Sequence, residues 1–365
     1  VSLAARVAWE RGWGKAVGHM VRWDEQPPRP WGSIVFCTVG SFLPRIRKFG
    51  ASHIVIDEAH TRDVHTDLLL TVLPEVLRSS PHLRVLVMSA TCNIAKFQQH
   101  FEKEFPVAVV EASGRPHQVR VYFLEDIITE LSWRPPSASD GEGAKDLPRG
   151  AWDDTDCNKT FADPSGCYPN STVEAVRLMD EQLLPLHLVI AVLHWVSRKP
   201  EPGSVLIFLP GWQEIGVCDA LLKKDSRLRQ GYEVIRLHST VPPAEQQRAF
   251  SPVRHGRRKV ILSTDIAETS ITIPDIIFVL DTGVARVKKH TSLEVQWASQ
   301  ASLIQRRGRA GRVCPGICIH LFTRARFQKV DVEPTPEMKR VPIEEVMLSV
   351  SDLGLDDASD AAYEG

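Results

Sequence analysis

The stretch HIVIDEAHTRDVHTDLLL, residues 53–70, sets the problem. A short apolar run, Ile54 to Ile56, ends abruptly in two acids, Asp57 and Glu58, and then come His60, Arg62 and a third acid, Asp63. A strand that closes on adjacent carboxylates has two readings. Acids are favoured at a helix N-terminus, so the pair can cap the helix that follows. It can also hold a hard cation, since Mg²⁺ uses few protein carboxylates, keeps waters and bridges phosphates.

Working outward, eight more runs have the same short, β-rich character: SIVFCTV, RVLVMSAT, VAVVEA, SVLIFLPG, EVIRLHS, KVILSTD, IIFVLDTG and ICIHLF. Short apolar runs bounded by polar or turn residues predict buried strands. Helical stretches separate most of them, among them HTDLLLTVLPEVLRSS, AKFQQHFEKEF, MDEQLLPLHLVIAVLHWVSRK and WQEIGVCDALLKK. Alternating strands and helices predict α/β domains with parallel sheets covered on both faces. The alternation lapses over residues 128–172, rich in Pro, Gly, Ser and Asp, which reads as a flexible polar linker or insertion. The expected division is therefore a first domain over 1–127, the linker, a second domain over 173–328, and a helical extension with a frayed tail over 329–365.

In doubly wound sheets, ligands sit beyond the carboxyl ends of the strands. Polar clusters fall there four times: Asp57 and Glu58 after IVI, Ser89 to Thr91 after VLVM, Ser263 to Asp265 after VIL, and Asp281 to Gly283 after FVL.

The bulk numbers narrow the function classes. The chain has 365 residues, 43% hydrophobic and 24% charged, with a formal net charge of -1. This is ordinary globular composition, large enough for two cored domains. A near-neutral chain has no global pull toward polyanions, so nucleic-acid contacts must be local. No apolar stretch is long enough to span a bilayer, and no membrane partner is expected. The start lacks the charge, apolar-core and small-residue order of a signal peptide. Seven scattered cysteines predict free thiols in a reducing compartment, the nucleus, the cytoplasm or both. Cys37, set among apolar residues, reads as a buried thiol. Cys314 and Cys318 have no second Cys or His pair at a zinc-site spacing.

The sequence LIQRRGRAGRVCPG, residues 303–316, weighs most. Arg306, Arg307, Arg309 and Arg312 are spaced by glycines, which let backbone approach a ligand closely. Arg309 and Arg312 are three apart and share a face on a helical turn. Paired guanidiniums suit a triphosphate, while the competing reading is a solvated basic face or a localisation signal.

These residues together resemble the DEAH-box ATP-dependent RNA helicases of superfamily 2. The resemblance rests on DEAH at 57–60, SAT at 89–91, STDIAETSITI at 263–273 and QRRGRAGR at 305–312, with FCTVG at 36–40 and LIFLPGWQEI at 206–215 in support. RVAWERG, PRPWGSIVFCTVG and TRARF are similar to the RNA helicase A (maleless) branch. The resemblance implies two tandem RecA-like domains and an enzyme that hydrolyses ATP with Mg²⁺ while moving along single-stranded RNA, with DNA as an alternative substrate. By position, it implies Asp57 and Glu58 at the Mg²⁺, with Glu58 polarising the attacking water. His60, Ser89, Ala90 and Thr91 would couple nucleotide state to domain movement. Asp265 would lie on the nucleotide side, Gln305 would place the water, and Arg309 and Arg312 would face the γ-phosphate. Thr38, Gly40 and Thr269 would touch the RNA backbone, contacts that fix register without reading sequence. Protein partners are unknown.

The sequence also departs from the pattern. The family's phosphate-cradling G-x-x-x-x-G-K-[ST] loop has no match: in RGWGKAVG, Gly14 and Lys15 are followed by Ala16, and Trp9 stands at the first glycine position. The expectation is a chain that begins downstream of that loop, with strands missing from its first sheet and no hydrolysis as it stands. A non-catalytic RNA-binding scaffold is the competing expectation. Thr61 replaces the glutamate usual after the box, residues 284–297 are short for the family hairpin, and the acidic end after Gly354 does not resemble the family's winged-helix continuation.

Overall fold

The computed structural model describes residues 1–90, 94–112, 114, 117–136, 156–163, 166–251, 253, 256–269, 273–290 and 292–352. The chain forms two compact units: Val1–Glu111 with the described residues from Thr335 onward, and Ala112–Pro334.

The first unit runs α1 (Ser2–Arg11), β1 (Val17–Val21), β2 (Asp24–Gln26), β3 (Ile34–Cys37), α2 (Val39–Phe42), β4 (His53–Ile56), α3 (Val64–Ser79), β5 (Arg84–Val87) and α4 (Ile94–Glu102). β1 pairs with β3 in parallel and with β2 antiparallel, while β4 and β5 form a separate parallel pair. Helix α3 supplies the core. Its Leu68, Leu69, Val72, Leu73 and Val76 are buried with Ile54 and Ile56 of β4 and with Phe42 and Leu43. Strand side chains alternate faces, and the other face of this pair is open: Val55 is 56% and Leu86 48% exposed. The expected cover on both faces therefore does not hold for β4 and β5. VAVVEA is not a strand, and Val110 is exposed. Cys37 is exposed rather than buried, because it ends β3 at the surface.

The second unit is built on a six-stranded, all-parallel sheet. Its elements are β6 (Val119–Tyr122), α5 (Leu124–Leu131), α6 (Asn170–Leu178), α7 (Leu186–Ser197), β7 (Ser204–Phe208), α8 (Trp212–Lys224), α9 (Ser226–Gly231), β8 (Tyr232–Leu237), α10 (Pro243–Gln246), β9 (Arg258–Ser263), α11 (Ile266–Thr269), β10 (Ile276–Asp281), the hairpin β11 (Val284–Lys289) and β12 (Ser292–Trp297), α12 (Gln300–Arg307), β13 (Gly316–His320) and α13 (Arg324–Lys329). The order is β6-β13-β10-β7-β9-β8. Alternate residues go to opposite sides: Val205, Ile207, Val260, Leu262, Phe278 and Leu280 meet α5–α8, while Leu206, Phe208, Ile261 and Val279 pack with Ala249, Ala267 and Ala310. Both faces are buried, as near-continuous apolar strands require.

Three boundaries differ from the sequence reading. β6 belongs to the second sheet, so the division falls at 111–112 rather than 127. In the expected linker, residues 137–155, 164 and 165 lie outside the described residues, but the rest is anchored by aromatic and polar groups. Phe161 enters the core, Tyr168 Oη donates to Asp126 Oδ1 at 2.6 Å, and the Cys157 N–H donates to Glu181 Oε2 at 2.7 Å. Helix α7 starts at Leu186, directly after Pro185, which lacks the N–H that an earlier start would use.

The chain then returns to the first unit. Residues from Thr335, including α14 (Ile343–Asp352), belong with residues 1–111, and Val341, Val346 and Val350 pack on the core around α3. A helical extension was expected here; its home is the first unit.

Candidate active site

At the end of β4 the backbone turns sharply. Glu58 and Arg62 both adopt left-handed backbone conformations, with φ of 55° and 51°. Such φ values are uncommon in non-glycine residues and mark a site held by its surroundings. Asp57 Oδ1 accepts the Glu58 N–H at 2.9 Å. The Ala59 N–H donates to Met88 O at 3.0 Å, tying the turn to the end of β5.

His60 completes the tie. Its Nδ1 accepts the Ala90 N–H at 3.2 Å, and its Nε2 lies 3.2 Å from Glu58 Oε2. Because Nδ1 accepts, the ring proton sits on Nε2, the nitrogen nearer the carboxylate. One neutral imidazole therefore joins the acid pair to the Ser89–Ala90 strand end. Thr91 lies outside the described residues.

The helix-cap reading of the acid pair is resolved by Asp63. Its Oδ1 accepts the Thr66 N–H at 3.1 Å and caps α3. Glu337 adds a second cap: its Oε2 accepts the Val64 N–H at 3.0 Å, and its own N–H donates to Arg62 O at 3.0 Å. Asp57 and Glu58 take no part in capping. Asp57 is exposed, and its Oδ2 has no partner among the described residues. Among the described residues no group of three His, Cys, Asp or Glu could hold a metal. Two adjacent carboxylates nonetheless fit Mg²⁺, which completes its shell with waters and phosphates; they do not make a zinc or calcium cage.

Thr38 and Gly40 open α2 and are both exposed. Thr38 Oγ1 donates to Ser41 Oγ at 2.9 Å. A Cβ at Gly40 would lie 3.2 Å from the His65 ring, so this glycine sits against the start of α3.

In the second unit the arginine motif is more buried than its sequence suggests. Helix α12 carries half-buried Gln305 and ends at Arg307. Arg309 and Arg312 follow in turns. Arg309 is buried and Arg312 exposed, so the shared helical face is not formed. Packing decides this. A Cβ at Gly311 would come within 2.7 Å of His117 O, so the glycine admits the protein's own backbone there rather than a ligand.

Arg306 is 1% exposed and is the hub of this unit. Nε donates to Glu268 Oε2 at 2.9 Å, and Nη1 donates to Asp281 Oδ1 at 3.1 Å and to Val284 O at 3.2 Å. Ser302 Oγ donates to Glu268, and His320 Nδ1 lies 3.5 Å from Asp281 Oδ2. Burial works against charge here, but Asp281 and Glu268 outweigh it and hold the guanidinium protonated. Burial likewise pushes Asp281 up, yet Arg306 and His320 bring its carboxyl below the usual carboxylate range. Asp265 is exposed after β9, and Thr269 ends α11. Glu268, between them, is therefore locked to α12. Beside this network Gly283 has φ +80° and no room for a Cβ, which would meet Phe322 at 2.4 Å.

Sequence reasoning grouped Arg306 with three other arginines and noted Asp281 as a strand end; it assigned no role to Glu268, Ser302, His320 or Glu337. The available signal was Asp281 closing an otherwise apolar strand, because a carboxylate buried there needs a cation.

Comparison with known proteins agrees with the motif reading. Residues 186–314 match the Helicase conserved C-terminal domain. The ATP-dependent DNA/RNA helicase DHX36 of Bos taurus is 33% identical over 382 residues, covering 97% of this chain and 38% of that protein. The ATP-dependent RNA helicase DHX30 of Gallus gallus is 35% identical over 361 residues, covering 95% of this chain and 26% of that protein. The human DHX36 is 32% identical over 387 residues, with 97% and 38% covered. The chain thus spans well under half the length of the curated relatives it matches. With the DEAH turn, the arginine motif and the parallel α/β sheet in the expected order, the chain belongs to the DEAH-box RNA helicases.

Proposed function

We propose that this chain serves as the core of an ATP-dependent RNA helicase. The observation that carries the reading is the turn after β4, where Glu58 is held by His60 and Asp57 stands exposed beside it. Asp57 and Glu58 are the residues that would hold Mg²⁺, which when bound neutralises charge on the transferring phosphate. Glu58 orients the attacking water, and His60 Nε2, 3.2 Å from Glu58 Oε2, stands beside the carboxylate that does so. Gln305 assists with the water. Arg309 and Arg312 stabilise charge that develops on the phosphate, as planar guanidiniums do well. Asp265 lies on the nucleotide side of its loop.

His60, Ser89, Ala90 and Thr91 relay the nucleotide state. Thr38, Gly40 and Thr269 contact the sugar-phosphate backbone of single-stranded RNA, so grip is independent of sequence. The setting is the nucleus or cytoplasm, where RNA and ATP meet. Among the described residues no helix is long and apolar enough to cross a membrane.

The test is hydrolysis of ATP by a protein that joins this chain to a segment carrying a G-x-x-x-x-G-K-[ST] loop, with single-stranded RNA, with DNA of equal length and with neither. RNA-stimulated turnover that Glu58→Gln abolishes supports the reading. RNA binding without any hydrolysis supports a scaffold instead.

A further inference from the structure

The polar clusters singled out in the sequence close their strands at the carboxyl ends. At the other end of the second unit's sheet lies a cavity of about 1120 Å³. Ser204, Tyr232 and Arg258, the first residues of β7, β8 and β9, line it, with Asp275 just ahead of β10. Leu131, Ser197 and Leu228, from α5, α7 and α9, line it as well. α5 and α7 cover the face of the sheet opposite to the one on which Ala267 and Ala310 pack, so the cavity is separate from the arginine motif. Its volume suits a small-molecule site.

The charges around it are one-sided. Arg198, Arg227, Arg257, Arg258 and Lys259 line the cavity against a single acid, Asp275. The whole chain has a formal net charge of -1, so this concentration is local. The one acid is already taken: Asp275 Oδ2 lies 3.1 Å from Lys259 Nζ and accepts the Ser204 hydroxyl at 2.6 Å. Lys259 is 1% exposed and also donates to Ala249 O at 2.7 Å and Ser251 O at 3.1 Å, so it is satisfied within the fold. Asp225, near Arg227, pairs with His194 at 2.7 Å and caps α9. The arginines find carbonyls instead: Arg198 Nε donates to His194 O, Arg257 Nη2 to Arg229 O and Arg258 Nη2 to Glu201 O. Arg257 Nε and Arg258 Nη1 are buried donors without a hydrogen-bond partner among the described residues. Buried donors are ordinarily paired, and like charges converging on one concavity repel each other while drawing in an anion.

We infer that this cavity binds a small polyphosphate, a molecule with several phosphoryl groups close together. The planar fork of a guanidinium matches two phosphoryl oxygens at once. The carbonyl contacts of Arg257 and Arg258 hold their planes in place before a ligand arrives, which lowers the cost of binding. Four guanidiniums around one concavity favour a compact, multiply charged anion over a singly charged one. The site stands apart from the residues assigned to hydrolysis, and its occupancy does not depend on turnover.

The test is isothermal titration calorimetry of the chain with sodium tripolyphosphate, in sulfate buffer so that general attraction of anions is competed away. Orthophosphate should bind about tenfold more weakly than tripolyphosphate or worse. Arg198 and Arg227 are exposed, so the double variant Arg198→Gln with Arg227→Gln should keep the parent's thermal midpoint. It should weaken tripolyphosphate binding about tenfold or more, as the loss of charge-assisted contacts requires. Arg312→Gln, in the arginine motif, should leave that affinity in place. If the parent does not bind tripolyphosphate, if the double variant keeps the parent's affinity, or if Arg312→Gln is the change that removes it, the inference is overturned. A hexaglutamate peptide or an oligouridylate that binds more tightly than tripolyphosphate through the same two arginines also overturns it, in favour of a surface for acidic peptide or nucleic acid.

Discussion

At the end of β4, Asp57 stands in solvent and Glu58 is held by one imidazole. At the end of β10, Asp281 is fully sealed, with Arg306 and His320 against it. Both are strand-end acids on parallel strands, and they do opposite jobs. An exposed carboxylate is free to meet a cation and a water. A sealed one must be neutralised internally, and its partners become part of the scaffold. The exposed acid pair is thus thinly supported, while the arginine helix is anchored by buried ion pairs.

The largest break in that contrast is Arg306→Ala. It strands Glu268 and Asp281 without their cation, and unfolding by urea should show the second unit destabilised by about 3–5 kcal/mol. Arg306→Lys should recover only part, since one ammonium cannot replace the two-pronged contact. Glu58→Gln should do the reverse. In a protein that also carries a G-x-x-x-x-G-K-[ST] loop, turnover should fall by about 10²-fold or more, while the unfolding curve of this chain stays in place.

Smaller changes sharpen the comparison. Asp63→Ala removes the α3 cap and should cost the first unit about 1 kcal/mol by thermal unfolding. The remaining Glu337 contact should keep the loss from growing larger.

Acid titration separates the units by sign. Asp281 has its folded value below the ordinary one, so its contribution is full above about pH 3.9 and fades as pH falls through the folded value. The stability gap between the parent and Asp281→Asn should therefore be flat above that point and close below it. Asp67 in the first unit runs the other way. Burial, only partly offset by Arg62, raises its carboxyl, so its ionised form opposes folding and acidification through that range relieves the cost. Asp67→Asn should consequently reduce the first unit's gain in stability as pH falls.

The apolar runs of the second sheet were readable because each is short, β-branched and closed by a polar cluster; all but β6 could be placed from the sequence. β6 was missed because VRVY alternates with an arginine and is flanked by polar residues. The acid pair and the arginine motif were legible as motifs. Their support was not: Glu268 and Arg306 are 38 residues apart, and nothing in local spacing shows that a guanidinium is buried. The Arg309–Arg312 face failed because α12 ends at Arg307, and beyond it Gly311 lies against the His117 backbone, a tertiary contact. Glu337 was beyond reach for the same reason, since its partner Val64 is 273 positions away.

That last separation bears on the order in which the protein is made. A ribosome delivers β4, the DEAH turn and α3 early, and must then synthesise all of Ala112–Pro334 before Glu337 emerges. The second unit can close on itself while the first still waits for its final piece. Contacts of such long range are slow to form and leave apolar surface uncovered in the interval. The nascent first unit, with Val341, Val346 and Val350 still undelivered, thus leaves open a part of its core that the finished chain covers.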